Sequence, residues 1–163
     1  MYLKNLKLRN YRSFDSTEIL LRDDITIFVG ENNGGKSNAI DAIRLITTPL
    51  NSRRDIYCEP TDVRFDATDR KFEIEASFSG LTVPQRGRLL SATADASLET
   101  ATFGLTYDAS KNGYSSRPTL WAGPRRMPPE PGCHETIRHV YLGRVPVGGV
   151  AGREQAARGA RFS

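Results

Sequence analysis

Between positions 30 and 37 the chain reads Gly-Glu-Asn-Asn-Gly-Gly-Lys-Ser, which places glycines, a lysine and a hydroxyl at the spacing GxxxxGK[ST]. Each residue type has a physical job there. Gly30, Gly34 and Gly35 permit backbone angles and a close approach to a ligand that a Cβ would block. Lys36 would set its ammonium on the β- and γ-phosphates of a nucleotide, and the Ser37 hydroxyl would ligate the Mg²⁺ that bridges them. The Asn33 side chain could orient a γ-phosphate oxygen or a water, or simply support a left-handed loop backbone.

Such a loop works only between a strand and a helix start, where several backbone N–H groups converge on one point. The sequence supplies both flanks. Asp24-Ile25-Thr26-Ile27-Phe28-Val29 is a β-branched and aromatic run that predicts one buried strand. From Ser37 to Leu50, residues Ile40, Ile43, Ile46 and Leu50 recur at helical spacing with no Pro or Gly before Pro49. Upstream, Leu6 and Leu8 alternate with Lys7 and Arg9, a half-buried strand that leads into a turn, and Ser16 to Leu21 supplies a second strand.

Downstream, the polar stretch 51–70 reads as a surface connection anchored chiefly by Ile56, Val63 and Phe65. Lys71 to Phe78 alternates, with Phe72, Ile74, Ala76 and Phe78 on one side. Glu73 and Glu75 share the other side; two carboxylates so placed suit either a metal or, more simply, a solvated strand face. Thr82 to Thr93 predicts a short helix capped by Thr82, weakened by Gly87, and Ala101 to Tyr107 and Thr119 to Trp121 predict further strands of an antiparallel meander. The proline-rich stretch 124–132 reads as a loop, and 132–142 regains apolar spacing through Ile137, Val140 and Tyr141.

The 163 residues suffice for one domain with a core. No run of 18 apolar residues occurs, and the N-terminus opens directly into alternating sequence, which reads as a soluble, cytoplasmic chain. Cys58 and Cys133 lack CxxC spacing and read as reduced thiols, and His134 and His139 are not aligned on a helix face as a metal pair would be. Of the net +4, a +3 share falls after Leu142 on Arg144, Arg153, Arg158 and Arg161 against Glu154, so the basic balance is no independent argument for nucleic acid. The Gly- and Arg-rich residues 143–163 carry no sustained period and predict a disordered tail; a gene fragment cut there and a frameshift both account for the pattern's end, and the abrupt change of composition at Leu142, as GC-rich DNA gives out of frame, favours the frameshift.

Leu6-Lys7-Leu8-Arg9-Asn10-Tyr11-Arg12-Ser13-Phe14, followed by Val29 to Asn38, resembles the start of the RecF, SMC and OLD-family ATPases, with the closest likeness to OLD-family ATP-dependent endonucleases. The resemblance implies an α/β P-loop NTPase fold: part of an ABC-type ATPase head over residues 1–142, with a mixed core sheet and an adjoining antiparallel sheet. It implies ATP with Mg²⁺ as cofactors, Arg12 reaching toward the phosphates, and Asn38 belonging to the loop-to-helix start. Family partners would be DNA and a second head in a head-to-head homodimer, with no membrane. The chain lacks an apolar strand ending in Asp-Glu, a full signature loop of the LSGGQ kind and the Asp-x-Asp of a Toprim nuclease, which reads as a head truncated before those parts and inactive alone in hydrolysis and cleavage.

Three other readings compete. A transporter's nucleotide-binding subunit needs an aromatic to stack on adenine, for which Tyr11 is the candidate, and a glutamine at a strand end, whereas Gln85 follows Pro84 at a helix start. A small P-loop kinase or GTPase needs a lid arginine cluster or a base-reading NKxD, and neither is evident. A non-catalytic remnant that binds nucleotide weakly, or only associates with an intact homologue, is the third.

Overall fold

A computed structural model describes residues 1–31, 34–50, 54–93, 96–111, 117–137, 139 and 141. The tail 143–163 lies outside the described residues. Five strands, β1 (Tyr2–Tyr11), β2 (Phe14–Leu20), β3 (Lys71–Ser79), β4 (Thr100–Asp108) and β5 (Thr119–Ala122), form one antiparallel sheet in the order β2-β1-β3-β4-β5. Helix α1 (Lys36–Thr47) lies against β3 and β4, and a short α2 (Val83–Arg88) follows β3.

Period-two alternation sets the core face as expected. Leu6 and Leu8 of β1, Phe72, Ile74, Ala76 and Phe78 of β3, and Phe103, Leu105 and Tyr107 of β4 are all buried. Register aligns them across strands, with Ile74 opposite both Leu8 and Leu105. Tyr11, Phe72 and Tyr107 stack in a row with ring centroids 5.0 and 5.4 Å apart. With Tyr11 fully buried in this row, it is not available as an adenine platform.

The outer face carries the two candidate metal carboxylates. Glu73 instead receives both guanidinium nitrogens of Arg126 at 2.7 and 2.8 Å, and Glu75 pairs with Lys7 at 3.3 Å. Arg126 also stacks 4.3 Å over the Trp121 ring, which itself lies flat where Gly104 leaves room. No metal-ligating cluster occurs among the described residues.

Helix α1 departs from the expected stripe. Ala39, Ala42, Leu45 and Ile46 are buried, Ile40 and Ile43 are half-buried, and Leu50 lies beyond the helix end. Small side chains at 39 and 42 let the helix approach the sheet closely, and that favours them over the bulkier β-branched neighbours. The helix stops at Thr47 because Thr48, one residue before Pro49, is forced into an extended conformation (ψ 117°). The predicted helix 82–93 is likewise shorter. Thr82 and Gln85 form a reciprocal capping box and Pro84 sits in the first turn, but α2 ends at Arg88 and a 3-10 turn at Leu90–Ala92 replaces the rest.

The largest departure precedes the loop. Residues 25–30 form no strand, and Ile25, Ile27 and Val29 are 70, 75 and 84% exposed, where a buried strand was expected. Periodicity reports that a segment is fit to be buried, not which neighbour buries it, and the five paired strands leave none beside it. The antiparallel sheet of the expected fold is therefore present, whereas no second, core sheet occurs among the described residues, where the unpaired segment 25–30 leads through the loop to α1. Phe65, expected as an anchor, is exposed.

The C-terminal end of α1 is tied down by the 3-10 turn His134–Ile137. His134 is buried, its Nε2–H donates to the Ile46 carbonyl at 2.5 Å, and burial lowers its pKa. The unfolded chain takes up that proton as the pH falls through about 6.5, whereas the folded chain resists it. Stability is therefore complete above that pH and declines below it, by at most about 1.4 kcal/mol per pH unit for this group. Urea midpoints between pH 7.5 and 5 should fall more steeply for the wild type than for His134→Gln, which keeps a donor for Ile46 without the titration; His139, also lowered by burial, contributes equally to both.

Candidate functional site

The glycine loop runs directly into the first turn of α1. Gly35 is the N-cap residue, in a left-handed conformation (φ +79°, ψ 1°), and Lys36 and Ser37 are the first two helical residues. Among the described residues no side chain caps this end, and no acid lies in the first turn, so the helix presents N–H groups and its positive dipole end toward the loop. Gly34 N–H donates to the Glu31 carbonyl at 3.1 Å, which closes the loop, and Ala39 N–H returns to the Gly35 carbonyl at 2.9 Å, which starts the helix.

Lys36 arches back over the loop. Its ammonium donates to the Gly30 carbonyl at 2.7 Å and to the Glu31 carbonyl as well. These are weakly competing acceptors compared with a phosphate oxygen, because a charge-assisted bond to an anion is roughly twice as strong as one to a neutral carbonyl. Ser37 is exposed beside it, and its hydroxyl has no bond among the described residues. Gly30, at φ +149°, has none of the described residues within 4 Å of where a Cβ would sit. Asn33 lies outside the described residues.

Asn38 is not turned to the loop mouth but holds the loop to the hairpin between β1 and β2. Its Nδ2 donates to Ser13 Oγ at 2.9 Å, while its Oδ1 accepts from Arg12 at 3.3 Å. Arg12, expected near the phosphates, has Nε on Asp62 and Nη1 on Asp41, both at 2.7 Å. Sequence reasoning placed 51–70 as a bare connection and so missed Asp62, which is only 4% exposed. The usable signal was Glu59-Pro60-Thr61-Asp62, a capping-box pattern with proline at the first helical position, and the turn Pro60–Asp62 closes in that way.

Neither thiol belongs to the site. Burial pushes the Cys58 thiol up to about 12 and raises Cys133 too, so both stay protonated and unreactive, and neither forms a disulfide.

The profile of the AAA ATPase domain family matches residues 1–119. The DNA replication and repair protein RecF of Staphylococcus aureus strain JH9, and the RecF of strain Newman, are each 33% identical over 84 residues, which is 52% of this chain but 22% of theirs. The chain thus spans about a fifth of the length of these curated relatives. Among solved structures, one described as "Structural biochemistry of ATP-driven dimerization and DNA stimulated activation of SMC ATPases" superimposes with a TM-score of 0.52 at 19% identity, covering 74% of this chain and 69% of that one. A RecF–ATP structure reaches 0.47 at 18% identity over 73% of this chain and 26% of its own. The SMC match establishes a P-loop ATPase-like α/β fold with an antiparallel sheet.

The packing around Gly35 yields a direct test. A Cβ there would lie 3.0 Å from Phe14 Cζ and from Ser13 Oγ, on a backbone already in the left-handed region. Gly35→Ala should cost about 1–2 kcal/mol from the backbone alone. Gly87→Ala in α2, where nothing lies within 4 Å of the new atom, should stabilise by up to about 1 kcal/mol. Opposite shifts of the denaturation midpoint in the two variants are the expected outcome, and equal shifts would count against the strained loop-to-helix corner.

Proposed function

Because the chain belongs to the AAA ATPase domain family, we propose that it is the N-terminal part of an ATP-binding head of RecF/SMC type, with MgATP held at the Gly30–Ser37 loop. The observation that carries this reading is the uncapped, acid-free N-terminus of a 12-residue helix that begins at Gly35-Lys36-Ser37. Free N–H groups of the loop and first turn would receive the phosphates. Lys36 would exchange its two carbonyls for β- and γ-phosphate oxygens, and the exposed Ser37 hydroxyl would ligate Mg²⁺, which neutralises the triphosphate. Asn33 would orient a γ-phosphate oxygen or a water, and Asn38 would keep the loop-to-helix start on the hairpin.

For the protein as a whole we propose a DNA-processing role in which ATP held between two heads governs action on DNA, with the OLD-family ATP-dependent endonucleases as the finer assignment. The support is the resemblance carried by Leu6 to Phe14 and Val29 to Asn38, together with the likeness to the RecF proteins. A transporter subunit fits less well, because Tyr11 is sealed in the core and Gln85 caps α2 through a 2.9 Å bond to Thr82 N–H. No described helix is long and apolar enough to cross a membrane.

Titration of the chain with ATP, with and without Mg²⁺, tests the site. Lys36→Ala should weaken binding by roughly ten- to a hundredfold, the worth of a lost charged hydrogen bond. Ser37→Ala should remove the gain that Mg²⁺ brings while leaving Mg²⁺-free binding nearly intact. Hydrolysis by the isolated chain should be negligible. Binding that neither substitution alters would refute the loop as the nucleotide site.

A further inference from the structure

Arg12 stands at the tip of the β1–β2 hairpin in a left-handed conformation, φ +47°, a strained setting for a residue with a Cβ. Such a backbone persists only where its surroundings hold it, and here Asp62 does so twice. The Asp62 carbonyl accepts the Arg12 backbone N–H at 2.7 Å, and its carboxylate accepts Arg12 Nε, also at 2.7 Å. The second carboxylate oxygen is taken by Glu59 N–H at 2.8 Å, so the buried acid has its oxygens engaged and its position fixed. From α1, Asp41 takes Arg12 Nη1 at 2.7 Å.

The same hairpin tip touches the phosphate loop. Phe14 and Ser13 abut Gly35, and Ser13 Oγ receives Asn38, so wherever Arg12 sets the tip, the last loop glycine and the first helical turn must follow. Arg12 is thereby a planar fork whose two edges clamp the connection after α1 and α1 itself, a geometry that lysine, a point charge, does not reproduce.

We propose that Asp62 and Asp41 are positioning residues for the nucleotide site: they lock Arg12, and through it the hairpin tip, against the loop-to-helix corner, and so set nucleotide affinity without touching the nucleotide. The inference rests on the loop being the ATP site. It assigns Arg12 to the scaffold of that site, where family likeness would have it grasp a phosphate. The two roles predict opposite results. If Arg12 is a phosphate ligand restrained by its acids, loss of Asp62 frees it and affinity holds or rises. If Arg12 is a brace, loss of Asp62 releases the corner and affinity falls.

The test measures ATP and ADP affinities of the full chain by calorimetry, well below each variant's unfolding midpoint, for Asp62→Asn, Arg12→Ala, the double variant and Arg12→Lys. A brace predicts that Asp62→Asn weakens ATP and ADP by a similar factor, on the order of tenfold for a displaced binding loop. It also predicts that the double variant is no weaker than Arg12→Ala, and that Arg12→Lys fails to restore binding. Should Asp62→Asn not fold, Asp41→Asn, at a carboxylate about a quarter exposed, must show the same pattern at smaller size. Unchanged or tighter binding in the acid variants, or an Arg12→Ala loss confined to ATP, would overturn the brace. Lys36→Ala run in parallel separates the two levels: if it leaves binding intact the site itself is wrong, and if it alone abolishes binding the site stands and the brace falls.

Discussion

An uncapped helix start is the constraint around which this structure is arranged. Residues 36 to 38 begin α1 with amide hydrogens that no side chain among the described residues caps. That is tolerable only because Gly35 turns left-handed with no Cβ to collide with Phe14, and because Asn38, Ser13 and Arg12 hold the corner from behind. Helix α1 is fastened at its other end too, where His134 caps the Ile46 carbonyl, so the exposed start is the free end of an otherwise anchored rod. Binding strength at such a spot comes from preorganisation, since amides already aimed need no ordering when an anion arrives.

How much of this could be read from the residues varies with the kind of physics involved. Strands β1, β3 and β4 were plain, because a sheet with one buried face imposes a period of two that the sequence must obey. The glycine loop and helix start were equally legible, since few residue types permit that turn. The stripe of α1 was not: both Ala39-Ala42 and Ile40-Ile43 make acceptable faces, and the closeness of the sheet decides between them. Asp62 was invisible for a different reason. An acid in a polar stretch looks solvated, and only the fold brings Arg12 to it across fifty positions of sequence.

Asp62 also illustrates why such a pair survives. Burying a carboxylate and a guanidinium costs more than their attraction returns unless every polar edge is met. Here the acid is fully engaged by Arg12 and Glu59, and the arginine keeps partial access to water. The pair is better understood as a device for fixing geometry than as a source of stability. The Arg126–Glu73 pair on the opposite sheet face is more exposed and shields Trp121, so its removal would open an aromatic surface more than loosen the sheet.

The ribbon Ile25-Thr26-Ile27-Phe28-Val29 contains no charge and no proline, a makeup shared with peptides that assemble into cross-β fibrils. It is bordered by Asp23 and Asp24 on one side and Glu31 on the other, three acids against the single cation Arg22, whose net negative charge opposes stacking of identical copies. Salt screens that repulsion, so self-association through this exposed apolar segment would grow easier as ionic strength rises.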